Sequence, residues 1–292
     1  MATGEVELTG TKGTLLGKEG EGFKIMAGMI NLSRTYNAVA ALAGSRRAII
    51  EAYQYLNHRI TFGKRAVEHA LVRQKFHELG SIYLADFLLV WRVIRAMDAA
   101  EEGDEREKEL LRIIIPMAKW KLAESGVYIA RECMELMGGN GYIEDFVISR
   151  LLRDLNVLPI WEGAGNIMIL DMLRAAEKSE GLEVITRKIE ESVEKSKGFG
   201  DGMRRQLKEI KAVYDELRSQ KDRDITEATA KPLFAGLIRL YQMALLIEEK
   251  GTFSDTAIDL ALSFLGENHQ RQFEVQKPPS PGEINALIGW DY

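Results

Sequence analysis

Apolar side chains recur at spacings of three and four over many turns of this chain, a period that suits helices and little else. Phe76, Leu79, Tyr83, Phe87, Val90, Ile94 and Met97 form one stripe. Ile82, Leu89, Val93 and Ala96 form a second stripe on the same segment. A helix with two apolar stripes must be covered over much of its circumference, in a bundle or in an oligomer core. Ile113, Met117, Trp120, Ala123, Val127, Ala130, Met134 and Met137 repeat the pattern, and Pro116 among them should kink that helix or start a new one.

The spacing predicts three long helices over 22–57, 67–101 and 105–137, and shorter ones over 147–156 and 166–177. Beyond Ser179-Glu-Gly-Leu182 the chain becomes more charged, with amphipathic helices expected at 184–197, 202–220, 226–249 and 254–265. Ser254-Asp255 suits a helix start and Gly266 a stop. Lys277-Pro-Pro-Ser-Pro-Gly282 is too proline-rich for a helix and should be extended. Gly4 to Leu16 alternates weakly, and a single strand cannot make a sheet. The expected fold is all-α: a four-helix-type bundle over 22–178, a smaller helical tail domain over 179–276 and an extended segment over 277–292. An arm or remnant strand over 1–21 precedes them.

At 292 residues, with 46% apolar and 28% charged side chains, the chain has the composition of an ordinary globular protein. Its net charge is −5, and acidic residues also outnumber basic ones after Arg174, so no basic field points to nucleic acid. Cys133 is the lone cysteine, and four histidines with it show no metal-ligand spacing, so no metal is expected. Phe87 to Met97, taken as the most apolar stretch, is broken by Arg92 and Arg95, so no membrane span is expected. With no leader-like opening the chain should be cytoplasmic.

One short break between helices carries chemistry: Pro159-Ile160-Trp161-Glu162-Gly163-Ala164-Gly165-Asn166. A carboxylate between a large aromatic and a glycine can be a base in a partly dry pocket, because burial raises a carboxyl's pKa toward neutrality. It can equally be the acidic start of the next helix. Arg59-Ile-Thr-Phe-Gly63 can be a turn with Gly63 at positive φ and Phe62 plugging the core. Met137-Gly-Gly-Asn-Gly141 lacks the strand-turn-helix setting of a dinucleotide fingerprint and reads as a helix stop with a glycine turn. Arg34 in Asn-Leu-Ser-Arg reads as an exposed helix residue.

Taken together and in this order, Arg34, Arg59-Ile-Thr-Phe-Gly63, Met137-Gly-Gly-Asn-Gly141 and Trp161-Glu162-Gly163 resemble the C-terminal helical domain of the acyl-CoA dehydrogenases. The resemblance runs from about Leu15 to Arg174. The wording Ile-Trp-Glu-Gly-Ala-Gly-Asn-Ile-Met-Ile-Leu-Asp-Met-Leu-Arg174 is most similar to the branch containing the adaptive-response alkylation protein. It implies that Glu162 is the catalytic base, that Arg34, Trp161 and Gly163 frame the substrate cleft, and that Arg59, Thr61, Phe62, Glu135, Gly138, Gly139 and Asn166 meet FAD. In the family that arginine usually reaches the flavin of a neighbouring subunit. Ala70, Ala164 and Asn166 stand where the family often has Gln, Thr and Gln.

The resemblance further implies an acyl-CoA substrate and α,β-dehydrogenation of its thioester. The family's N-terminal helical and β domains are not in this sequence. The expectation is therefore the C-terminal part of a split enzyme, with little FAD on the isolated chain and a separate chain carrying those domains. A non-catalytic assembly or regulatory subunit is the alternative. The apolar second helix adds an expected homodimer or tetramer.

Overall fold

A computed structural model describes residues 4–196, 198–267 and 280–288. Among them the chain is helical nearly throughout, and its strands are limited to a hairpin of two residues a side. Helix α1 spans Gly22–His58, and β1 (Ile60–Thr61) pairs antiparallel with β2 (Lys64–Arg65). A 3-10 turn at Ala66–Glu68 leads into α2 (Ala70–Glu101), and α3 spans Glu105–Met137. Then come α4 (Gly139–Tyr142), α5 (Val147–Asn156) and α6 (Gly165–Lys178). The tail contributes α7 (Gly181–Lys195), α8 (Gly200–Ser219), α9 (Arg223–Glu248), α10 (Asp255–Glu267) and α11 (Pro281–Ile288). Residues 4–21 form no strand and are exposed.

Local chemistry fixes the ends of the long helices. Asp104 caps α3 by accepting from the backbone N–H groups of Arg106 and Glu107 at 2.9 and 3.1 Å. Gly138 stops it at φ 63°, a conformation that favours glycine. Pro116 lies inside α3 and does not end it, so 105–137 is one helix, as the spacing predicts. Proline inside a helix costs about 3 kcal/mol. Here Ile113, Ile114, Met117, Ala118 and Trp120 around it are all buried, so tertiary packing outweighs the local defect.

The core is formed by α1, α2 and α3, with α5, α6 and the tail helices laid against them. One continuous cluster of buried apolar side chains runs through bundle and tail alike. The second helix does have two apolar stripes, but its surplus surface is covered within the chain. Phe76, Leu79, Leu84, Leu89 and Val93 are buried, and α9, α10 and α11 contact α2 in addition to α1 and α3. The exposed apolar stripe lies on α1 instead, at Phe23, Met26, Met29, Leu32 and Tyr36.

Two further expectations are corrected. The segment expected to be extended over 277–292 contains α11. Ser280 and Glu283 make a reciprocal capping box, Ser280 N to Glu283 Oε2 at 2.7 Å and Glu283 N to Ser280 Oγ at 3.2 Å. Pro281 sits at the first helical position, where its missing N–H is harmless. The helix seats on α2 at Gly80, where a Cβ would lie 2.7 Å from Leu287 Cγ. Residues 277–279 and 289–292 lie outside the described residues. Second, α9 rather than Phe87–Met97 is long and apolar enough to cross a membrane, and 67% of its most apolar stretch is buried in the protein.

Candidate functional site

The loop from Val157 to Ala164 joins α5 to α6, and three side chains from α1 and α3 hold its backbone. Asn37 of α1 donates from Nδ2 to the Leu158 carbonyl at 3.2 Å. Arg34, one turn earlier, donates from Nε to the Glu162 carbonyl at 3.1 Å and from Nη2 to Asp171 of α6 at 2.8 Å. Lys119 of α3 donates from Nζ to the Gly163 carbonyl at 2.5 Å. Two cations therefore grip two successive carbonyls.

The grip has something to resist. Glu162 has φ 58° and Gly163 φ 104°, both left-handed. For a non-glycine residue that conformation costs roughly 1–2 kcal/mol. Strain of this kind persists only where the surroundings over-determine it. The carboxylate itself has no hydrogen bond or ion pair among the described residues and is half-buried. The backbone is fixed and the acid is left unengaged. Ile160 and Ile167, with Leu32 and Tyr36 of α1, are exposed apolar side chains on the loop and on the two helices beside it.

Lys119 is 0% exposed. Burial, with the positive field of Arg34, pushes its ammonium down to about 8, against a partial upward pull from Glu162. Lys119, Asn37 and Asp171 are site residues that pattern reading missed. The signal for Lys119 was a charge inside the apolar run Ile113–Trp120. Asn37 and Asp171 carry none, because their partners, the Leu158 carbonyl and the Arg34 guanidinium, come from far along the chain.

The other predicted residues gather elsewhere. Arg59 is exposed and donates from Nη1 to the Tyr55 hydroxyl at 2.6 Å, while Asn140 Nδ2 donates to the same oxygen at 2.8 Å. Tyr55 thus ties the hairpin to the glycine turn. A Cβ at Gly138 or Gly139 would meet nothing within 4 Å, so that backbone is open to an incoming group. Thr61 Oγ1 lies 3.0 Å from His69 Nε2, and Glu135 is exposed in an ion pair with Arg131 at 2.7 Å. Gly63 has the expected positive φ, 79°, but Phe62 does not plug the core. It has φ 49° and is 98% exposed, because the left-handed backbone throws the ring outward.

Arg34 lies a third of the way along α1 and Arg59 just past its end. At roughly 1.5 Å per residue they are about 38 Å apart along the axis. The structure brings Glu162, Arg34, Trp161, Gly163 and Asn166 to one end of the bundle. It brings Arg59, Thr61, Phe62, Gly138 and Gly139 to the other. An exposed arginine beside open glycine backbone fits the diphosphate and adenosine of a dinucleotide. Within one chain that surface does not reach Glu162.

A family model described as the acyl-CoA dehydrogenase C-terminal domain matches residues 20–177, more than half of the chain. The chain belongs to the acyl-CoA dehydrogenase family. Acyl-CoA dehydrogenase family member 11 of Caenorhabditis elegans is 29% identical, over 85% of this chain and 42% of its own length. AidB of Escherichia coli strain K12 is 32% identical over 74% of this chain and 40% of its own length. The crystal structure of C. elegans ACDH-11 in complex with C11-CoA has a TM-score of 0.75 at 26% identity, covering 89% of this chain and 46% of that one. The chain thus spans about two fifths of the length of the curated relatives it matches. Its match to them extends beyond the family's C-terminal domain into the tail helices.

Proposed function

We propose that this chain carries the proton-abstracting half of a flavin-dependent acyl-CoA dehydrogenase site. The observation that carries the reading is the unengaged Glu162 carboxylate on a loop whose backbone is clamped by Arg34 and Lys119. A base must be free to accept a proton and yet be held in place. Glu162 would remove the α-proton of an acyl-CoA thioester, with Trp161 and the exposed Ile160 and Ile167 against the acyl chain.

Arg59, the Gly138–Gly139 turn and Asn140 would hold the diphosphate and adenosine of FAD, with Thr61 and Phe62 beside them. When bound, FAD supplies the acceptor for the β-hydride. Because Arg59 lies far along α1 from Arg34 and the Glu162 loop, each complete site takes Glu162 from one chain and Arg59 from a second copy, in a homodimer or tetramer. The exposed stripe of α1 and the exposed Phe62 are the apolar surfaces available for that assembly. Polypeptide beyond these residues would cover the ring and keep water from the reacting atoms.

Glu162→Gln keeps shape and loses the base. In the flavin-loaded assembly it should slow acyl-CoA-dependent flavin reduction by at least ~100-fold while retaining flavin, within the usual range for loss of a general base. The chain alone should purify with little flavin absorbance, and co-expression with a chain bearing the family's other domains should restore it. Reduction by the variant at the wild-type rate would remove Glu162 from the mechanism.

A further inference from the structure

A cavity of about 800 Å³ opens between α2, α3, α9 and α10, on the tail side of the bundle. That volume is within the roughly 300–1,000 Å³ of small-molecule sites. Ile82, Trp120, Ile238 and Phe264 give it apolar walls. Trp120 separates it from the Glu162 loop: the indole edge lies 3.4 Å from where a Cβ on Gly165 would be.

The charges around the cavity do not balance. Two acids line it, and both are engaged. Glu78 pairs with Lys75 at 2.7 Å and accepts from the Tyr128 hydroxyl. Glu124 accepts from Trp120 Nε1 at 2.7 Å and faces Lys231 at 3.7 Å. Of the three lining cations this leaves Lys121 and Arg239. Lys121 has no hydrogen bond or ion pair among the described residues, only the field of the buried Asp86. Arg239 donates to Gln206 Oε1 at 2.8 Å and meets no carboxylate, and burial works against its charge. Asp86 is itself closed off behind Gln242, whose Nε2 lies 2.7 Å from Asp86 Oδ1. A half-buried guanidinium without a counter-ion is unfavourable.

We propose that this cavity binds an amphipathic organic carboxylate, with its head on Arg239 and Lys121 and its aliphatic or aromatic body against Ile82, Trp120 and Phe264. The guanidinium fork matches a carboxylate's two oxygens, and the apolar walls exclude small inorganic anions as the preferred guest. The site does not depend on the role of Glu162, and flavin is not needed to test it.

Calorimetric titration of the purified chain with decanoate, decanol and decyltrimethylammonium separates the contributions. Decanoate should bind at one equivalent, at least tenfold tighter than either of the others, and quench Trp120 fluorescence, a signal lost in Trp120→Phe. Arg239→Gln and Lys121→Gln should each weaken decanoate at least tenfold, with Arg239→Lys weakening it less. Equal affinity for decanol or decyltrimethylammonium on the wild-type chain would overturn the proposal without any variant. So would the absence of decanoate binding at millimolar concentration, or undiminished binding by a folded Arg239→Gln, Lys121→Gln double variant.

Discussion

At the residue scale, Lys119 sets the character of the site. Its ammonium is held down to about 8 in the folded chain, against 10.5 for an unperturbed lysine. Between those values the unfolded chain binds the extra proton, so stability from this group rises with pH across that window. Below about 8 both states are charged, and the full desolvation penalty applies. Lys119→Met removes both the penalty and the donor to Gly163. The unpaired carbonyl should destabilise the variant by about 1–3 kcal/mol. The wild-type advantage in urea melts should widen from pH 8 toward 10.5. A constant difference across that range would show that the lysine does not change protonation on folding.

At the element scale, α1 is the ruler of the molecule. Its first turns present an apolar stripe, its middle holds Arg34 and Asn37 against the loop, and its end delivers Arg59. Glycine lets that helix lie close to α3 and α5. A Cβ at Gly44 would stand 2.8 Å from Leu155 Cδ2, and one at Gly126 would stand 3.1 Å from the same atom. Alanine at Gly44 gains about 1 kcal/mol of helix propensity but overpacks the contact, a penalty of about 1–3 kcal/mol. Gly44→Ala should therefore be net destabilising, and adding Leu155→Ala should cost less than the sum of the two single changes. Strict additivity in a thermal or chemical melt would mean that the two positions are not in contact.

For the whole molecule, the shared core decides how the chain unfolds. Apolar side chains of α7 and α9 belong to the same cluster as those of α2 and α3. Asp86 of α2 and Gln242 of α9 add a buried polar tie, and Arg46 of α1 reaches the Ile288 carbonyl of α11 at 2.7 Å. Calorimetry should show one transition, and two resolved transitions would divide bundle from tail. Asp86 makes that transition pH-sensitive. Burial raises its pKa above the usual 3.8, so ionisation favours the unfolded chain. The contribution is full below about 4 and is lost as pH rises through the folded value. Asp86→Asn should gain stability relative to wild type at pH 8 and lose that gain at pH 4. An equal effect at both pH values would contradict the buried acid.

The three-four periodicity by itself determined that this chain is all-helical, and it located the long helices to within a few residues, because burying a stripe on a rod is a local property of spacing. The Glu162 loop was equally legible, since Pro159 and Gly163 break the helix around one carboxylate. The Ser280–Glu283 capping box was present in the sequence too, but proline content masked it. Contacts between distant segments were not legible. Lys119 meets Gly163 and Arg34 meets Glu162 only when three helices are packed, and no short window contains both partners. The same holds for α2, whose two stripes announce coverage without saying by what. Only the tertiary structure decided that the tail covers it, and that Arg59 and Glu162, both motif residues of the family, are separated by most of the length of α1.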